Sequence, residues 1–87
     1  MKINENYRLD YDLDDIRIQK RENGEWHELC SISETAAMVW SGLERGLDRE
    51  AIIASIVNEF DGADETIVGA DMDALIAQLT ALGFVEP

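Results

Sequence analysis

The apolar residues of this 87-residue chain change their spacing once, at Ile32. Before that point apolar and polar residues alternate, as where Arg17 separates Ile16 from Ile18, and this is the period of a half-buried strand. After it, apolar residues recur at every third or fourth position, which is the period of an amphipathic helix. Strands followed by helices predict an α+β fold, in which a small antiparallel sheet carries a bundle of helices on one face.

Three strands are predicted in the first third of the chain. The dipeptide Asn23-Gly24 tolerates positive φ and therefore favours a tight hairpin turn. The strand with the alternating isoleucines precedes this turn, and the chain returns after it from Trp26 to Ile32. Residues 7–11 form a weaker strand candidate, which the Asp-rich residues 12–15 separate from the next strand.

Three helices are predicted after the strands. Ser33 and Asp48 can cap the first two, because their side-chain oxygens accept hydrogen bonds from exposed amides, and the third begins near Asp64. Gly46 and Gly83 can end the first and third helices in a left-handed conformation. The apolar stripes of the three helices are formed by Ala36, Val39, Trp40 and Leu43, by Ile52, Ile53, Ile56, Val57 and Phe60, and by Val68, Met72, Leu75, Ile76, Leu79 and Leu82.

The charge of the chain limits its partners. There are 19 acidic and seven basic residues, for a net charge of -12, and no Lys or Arg follows Arg49. Such a surface repels phosphate backbones and anionic lipid head groups, so we predict neither nucleic acid nor a membrane as a partner. It favours basic partners, often proteins, although acidity also serves to keep a small protein soluble.

The cellular location is predicted from three further features. No apolar run reaches the length of about 18 residues that a membrane-spanning helix needs. The first ten residues lack the apolar core of a signal peptide, and a single cysteine cannot form an internal disulfide. We therefore predict a cytoplasmic location, where thiols stay reduced.

The one histidine and the one cysteine, His27 and Cys30, lie three positions apart in the predicted third strand. Residues three apart on a strand face opposite sides, so we do not expect them to converge on a metal ion or to form a nucleophile and its base. We predict that Cys30 is a small core residue and that His27 faces solvent or a partner. No metal site, cofactor or catalytic residue is predicted.

Other classes of small acidic protein fit the sequence less well. A carrier protein attaches its arm to a serine in a Gly-x-Asp-Ser-Leu setting, but Glu65 and Met72 follow the two Gly-Ala-Asp triplets. A DNA-binding winged helix-turn-helix protein needs a basic face, and the second and third helices contain one base, Arg49. The acidic residues 10–15 lack the central Gly and the closing Glu of a calcium loop. The predicted architecture is winged-helix-like, without these functions.

The strand around residues 26–31 is the remaining candidate for a functional element. An outer strand of a three-stranded sheet has one unpaired side, to which a peptide can add as a further strand. Alternation places Trp26, Glu28 and Cys30 on one face, and pairing with the two isoleucines predicts that this face meets the helices. A register shift of one residue would exchange the two faces.

The second half of the chain resembles the PqqD-like family, the precursor-peptide recognition elements of ribosomally made, modified peptides. Residues 32–62, ISETAAMVWSGLERGLDREAIIASIVNEFDG, follow the family's usual pattern of Leu-Asn-x-Thr/Ser-Ala/Gly-Ala, an Ile-Trp pair, a Leu-x-x-Gly stop and a Glu-Ile near the start of the next helix. The matching positions are residues 32–37, Val39-Trp40, residues 43–46 and residues 50–52. ADMDALIAQLTALGFVEP resembles the family's last helix and its ending, so that the resemblance covers residues 7–86.

The resemblance implies one domain over residues 1–87, with a winged-helix-like fold of a three-stranded antiparallel sheet followed by three helices. It also implies a non-catalytic protein that binds the leader of a ribosomally synthesised precursor peptide as an added strand, between its third strand and third helix. The protein would present this peptide to a modifying enzyme, such as a radical S-adenosylmethionine enzyme, a cyclase or a leader protease. By position, the peptide-binding residues would be Trp26, His27, Glu28, Leu29, Cys30 and Ser31 on the strand and Ile67, Val68, Asp71, Leu75 and Gln78 on the helix.

Several alternatives stay open at this point. Pyrroloquinoline quinone maturation, a lasso-peptide pathway and a partnership with another radical enzyme are equally compatible with the resemblance. The acidic surface fits a leader that carries Lys or Arg. The protein is predicted to be a monomer or a homodimer, since an open edge can pair with its own copy. The alternative function is that of an acidic winged-helix module for protein–protein interaction, outside peptide maturation.

Overall fold

The chain forms five strands and three helices in a computed structural model that describes residues 1–87. None of the helices combines the length and the apolar character needed to cross a membrane. In chain order the elements are β1 (Lys2–Ile3), β2 (Tyr7–Asp12), β3 (Asp15–Glu22), β4 (Glu25–Ser31), α1 (Glu34–Glu44), α2 (Arg49–Glu59), α3 (Glu65–Ala81) and β5 (Val85–Glu86).

The predicted sheet is confirmed. It has three antiparallel strands in the order β2-β3-β4, and the three helices follow it. The turn between β3 and β4 is the predicted Asn23-Gly24, whose φ values of 52° and 78° are those of a type I′ hairpin turn. The alternating pattern therefore predicted the strands, and the Asn23-Gly24 dipeptide predicted the connection between β3 and β4.

A second, very small sheet was not predicted. β1 pairs with β5 in antiparallel fashion, so that Ile3 lies opposite Val85, and the N–H of Asn4 donates to the carbonyl oxygen of Phe84 at 2.9 Å. Each of these strands has two residues, which is too short for any alternation to be recognised. The pairing ties the two ends of the chain together beneath the larger sheet.

The two predicted helix caps are confirmed, and the third helix begins near Asp64 as predicted, with Asp64 as its cap. The Ser33 hydroxyl accepts from the N–H of Ala36 at 3.1 Å, and the Asp48 carboxylate accepts from the N–H of Ala51 at 2.9 Å. The Asp64 carboxylate accepts from two amides at the start of α3. These bonds satisfy amides that have no partner within a helix, and they fix where each helix begins.

Two groups of buried side chains hold the layers together. The first joins the sheet to the helices and contains Ile18 of β3, Trp40 of α1 and Phe84 near the C-terminus. The second lies between the three helices and is built from Val39, Ile52, Ile53, Ile56 and Met72. No polar or charged residue is buried in either group, so the fold rests on apolar packing.

Gly42 of α1 is buried where α1 crosses α2, and a β-carbon there would lie 2.6 Å from Cγ1 of the buried Ile52. We expect Gly42→Ala to lower the free energy of unfolding by up to about 2 kcal/mol, because overpacking costs ~1–3 kcal/mol and the better helix propensity of alanine returns ~1 kcal/mol. Denaturant unfolding measures the change.

Gly69→Ala in α3 is the matched control. Its β-carbon would meet the guanidinium end of Arg49 at 2.8 Å, and this side chain is half-exposed and can move. The control is therefore expected to leave stability unchanged or raised by up to ~1 kcal/mol. Equal losses in the two variants would contradict the close approach of α1 to α2.

Candidate functional site

β4 is an outer strand of the three-stranded sheet and pairs with β3 alone. Six of its seven residues are exposed, and Trp26 is half-buried. The side of the strand away from β3 has no neighbouring strand. The border at which we predicted a docking site is therefore not covered by the protein's own backbone.

The hydrogen bonds at the end of β4 show which main-chain groups point outward. The N–H of Ile32 donates to the carbonyl oxygen of Ile16 at 2.8 Å, and the next opposed pair is Ser31 with Arg17. Hydrogen-bonded and non-hydrogen-bonded pairs alternate along an antiparallel ladder. The N–H and C=O of Ser31 consequently point away from β3, toward the open border.

The same argument applies at the hairpin end of β4. The type I′ turn closes on the opposed pair Glu22 and Glu25, and the following pair is Arg21 with Trp26. Because the pair that closes a two-residue turn is hydrogen-bonded, the next pair is not. Trp26 thus also presents its N–H and C=O to the open border.

A β-bulge at Leu29 interrupts β4 and corrects the predicted strand faces. Cys30 lies opposite Ile18 while Glu28 lies opposite Gln19, so that Leu29 has no partner residue of its own. Opposed residues share a face, and the faces of Ile18 and Gln19 differ. The prediction that Trp26, Glu28 and Cys30 share the helix-facing side is therefore wrong: only Cys30 lies on that side.

The bulge also overturns the predicted separation of His27 from Cys30. His27 lies opposite Lys20 and Cys30 opposite Ile18, and these two partners share a face because they are two positions apart. The extra residue thus brings both side chains to one face. No group of three or more His, Cys, Asp or Glu side chains in the structure is spaced to hold a metal ion.

The predictions for the burial of His27 and of Cys30 have different outcomes. His27 is exposed, as expected, but Cys30 is exposed as well, and the prediction that it belongs to the core is wrong. Cys30 is on the helix-facing side of the sheet, but it belongs to an outer strand. The core contacts on that side are made by Ile18 of the central strand. The thiol consequently lies at the open border.

A network on the other face of the sheet fixes the register of β4. The guanidinium of Arg17 donates to Asp15 at 2.9 Å and to Glu28 at 2.8 Å, and the Ser31 hydroxyl donates to Asp15 at 2.8 Å. The hydrogen bonds from Arg17 and Ser31 hold the pKa of Asp15 below its usual range. The network links β3 to β4 on both sides of Leu29, so the bulge is tied in place.

Trp26 is held on this same face by two arginines. The guanidinium carbon of Arg8 lies 4.2 Å from the centre of the indole, and that of Arg21 lies 5.9 Å from it. Both distances are within the range of a cation–π interaction. The indole therefore packs along the sheet close to the hairpin turn, away from α3.

A cavity of about 380 Å³ lies between the start of α1, the end of α2 and the first half of α3; we call it the α3 groove. Its lining is mostly apolar. The predicted helix residues Val68, Asp71 and Leu75 line it, whereas Ile67 and Gln78 are exposed on α3 outside it. The residues that the sequence analysis did not assign to the site are Ser33, Thr35, Ala36, Val39, Ile56, Phe60, Ala63 and Met72.

The α3 groove begins just beyond the end of β4. None of the six predicted residues of β4 lines the α3 groove, but Ser33, two positions beyond the end of β4, does. The predicted cap at Ser33 was the feature of the sequence that indicated this part of the site. A strand that runs directly into a capped helix places its end beside that helix.

The comparisons with known proteins agree with this architecture. The family model described as coenzyme PQQ synthesis protein D (PqqD) matches residues 22–85. A solved structure described as TbiB1 in complex with the TbiA(beta) leader peptide is similar, with a TM-score of 0.76 and 23% identity over 99% of this chain and 95% of that one. At this identity the likeness shows a shared fold. No curated protein matches the sequence.

Proposed function

Because this chain belongs to the PqqD family, whose model matches residues 22–85, we propose that it binds the leader of a ribosomally synthesised precursor peptide. It acts without catalysing a reaction, as one unit over residues 1–87, and presents the peptide to a modifying enzyme in the cytoplasm. The observation that carries the proposal is the open border of β4, which ends two residues before Ser33 in the lining of the α3 groove. The similar structure is described with a leader peptide bound, which supports the same kind of ligand.

The leader would add as a strand beside β4. The outward N–H and C=O groups of Trp26 and Ser31 would pair with its main chain, and each such hydrogen bond contributes a net ~0.5–1.5 kcal/mol. Main-chain hydrogen bonds of this kind can form with a peptide of any sequence. Recognition of one leader therefore needs side-chain contacts as well.

The α3 groove would supply those contacts. Its volume of about 380 Å³ lies at the lower end of the ~300–1,000 Å³ typical of ligand sites, which suits a few side chains of a peptide. Val68 and Leu75 would contact apolar side chains of the leader, and burial of apolar surface stabilises by ~25 cal/mol per Å². Asp71 at the rim would pair with a Lys or Arg of the leader.

The bulge at Leu29 would divide the added strand into two short ladders. A continuous strand cannot pair evenly with a border that contains an unpaired residue. The leader would therefore pair with the part of β4 on either side of Leu29, and the part around Ser31 lies next to the α3 groove. We place the sequence-specific contacts at that end.

A titration of isotope-labelled protein tests the proposal. The ligand is a set of overlapping synthetic peptides from the N-terminal part of the precursor encoded nearest to this gene. We expect amide shifts in residues 25–33 and in α3 around Val68, because these groups would contact the leader. Shifts confined to α2 and the far side of α1, or no binding by any peptide, would contradict it and favour an interaction module outside peptide maturation.

A further inference from the structure

A cavity larger than the α3 groove lies next to the connection between β4 and α1, where Ile32 and Glu34 line it. It measures about 650 Å³ and is bounded by the tip of the β2–β3 hairpin, by α1 and by the start of α2; we call it the hairpin groove. Half of its lining residues are hydrophobic, among them Ile16, Met38 and Ile52. It shares no lining residue with the α3 groove, although Ser33 of the α3 groove lies in the chain between Ile32 and Glu34 of the hairpin groove.

The tip of the hairpin presents apolar side chains to solvent beside this groove. Leu13 is 97% exposed and Tyr11 is 64% exposed. Leu13 occupies the two-residue turn between β2 and β3. Its side chain contributes no packing to this fold, and exposed apolar groups next to a groove are typical of an interaction surface.

Four of the five charged residues that line the hairpin groove are unpaired, and only Asp15 is in an ion pair, with Arg17 at 2.9 Å. Asp12, Asp14 and Glu34 make no ion pair, and neither does Arg45, although all four line the groove. Glu34 and Arg45 are 11 positions apart along α1, which separates them by ~16 Å. One end of the groove is therefore acidic and the other carries a single positive charge.

We propose that the hairpin groove binds the peptide-modifying enzyme, through an enzyme segment with apolar side chains that has Lys or Arg at the hairpin end and an acidic residue near Arg45. The inference rests on the proposed function, which requires an enzyme to receive the leader. A second copy of this chain carries the same net charge of -12, and this like charge opposes self-association. Charge complementarity therefore selects a basic protein surface as the occupant.

Two locations for two partners explain how a bound leader can be handed over. The leader would occupy β4 and the α3 groove, and the enzyme would approach from the hairpin. Because the two surfaces do not overlap, the leader would not have to leave before the enzyme binds. The protein would hold both partners in one complex and raise the effective concentration of the leader at the enzyme.

The test uses the full chain and the purified modifying enzyme encoded nearest to its gene, with affinity measured by biolayer interferometry. We expect Leu13→Ala to weaken enzyme binding by about tenfold, as for an apolar side chain at the centre of an interface. Asp14→Lys should weaken it by about threefold or more at low salt and less at high salt. Both residues are exposed, so folding should be unaffected.

The matched controls are Leu82→Ala and Glu65→Lys, which change an exposed leucine and an exposed acid outside the hairpin groove. They should leave enzyme binding unchanged. Leader affinity, measured separately by fluorescence anisotropy, should be the same in all four variants. Loss of enzyme binding limited to the two groove variants supports the inference even if no leader binds, in which case the proposed function alone fails. Equal enzyme binding by all variants, or none by the unaltered protein, would overturn the inference.

Discussion

Replacing Trp40 with alanine is expected to lower the free energy of unfolding by ~3–5 kcal/mol, the usual cost of truncating a fully buried aromatic side chain. Trp40 has no solvent exposure. It packs in the group of side chains that joins the sheet to the helices, with its ring 5.9 Å from that of Phe84. Since small domains are stable by only ~5–15 kcal/mol, this one change would remove much of the total.

Two tryptophan controls separate packing from other effects. Trp40→Phe keeps an aromatic ring and removes the indole N–H, which is buried without a hydrogen-bond partner and therefore carries an unfavourable desolvation cost. We expect it to be clearly less destabilising than Trp40→Ala. Trp26→Ala changes the half-buried tryptophan on the outer face of the sheet and should cost ~1 kcal/mol or less.

Unfolding in denaturant, followed by far-ultraviolet circular dichroism, gives the stability of each variant without relying on the fluorescence of the altered side chain. If Trp40→Phe and Trp40→Ala lose the same free energy, the contact with Phe84 does not stabilise the fold. If Trp26→Ala is the most damaging change, the assignment of the core to the other face of the sheet is wrong.

Replacing Ser31 with proline is expected to weaken leader binding by at least ~10-fold, which corresponds to 1.4 kcal/mol. The Ser31 N–H points to the open border of β4, as the pairing of its neighbours with β3 requires. Proline removes this donor, and its ring occupies the space where an added strand would lie. The fold should persist, because proline is tolerated at outer-strand positions whose N–H faces solvent.

The other outer strand provides the matched control for Ser31→Pro. The N–H of Arg21 in β3 donates to the carbonyl oxygen of Asn6, the residue before β2. The alternation of the ladder from that pair points the N–H of Tyr11 away from β3. Tyr11→Pro should leave leader affinity unchanged. Ser31→Ala, which removes only the hydroxyl bond to Asp15, should have a small effect.

Leader affinity of these variants is measured by fluorescence anisotropy, with circular dichroism as the check on folding. A folded Ser31→Pro protein that binds the leader normally would rule out strand addition at this part of β4. A loss in Tyr11→Pro equal to that in Ser31→Pro would instead indicate that the leader adds to β2.

Much of the fold could be predicted because its elements follow from local patterns. The alternation around Ile18, the Asn23-Gly24 turn and the caps at Ser33 and Asp48 depend on neighbours in sequence, and the structure has each of them. The pairing of β1 with β5 could not be predicted, since it joins two-residue segments from opposite ends of the chain and depends on the completed core.

Fewer details of the site than of the fold could be predicted from the sequence, for a physical reason. An edge strand could be predicted from strand order, but the bulge at Leu29 could not, because a bulge is a property of the pairing between β3 and β4. One inserted residue then reversed the faces of Trp26 and Glu28 relative to Cys30. The α3 groove draws residues from three helices, and their convergence depends on helix packing angles that no periodicity encodes.

The bulge at Leu29 also affects how the protein is expected to behave in concentrated solution. A long, flat outer strand with regularly spaced donors and acceptors is a template on which identical chains can polymerise. Here the regular spacing is interrupted, and two exposed glutamates, Glu25 and Glu28, would meet their own counterparts in a neighbouring molecule. We therefore expect that this strand stays available to a flexible foreign chain while resisting self-templated fibre growth.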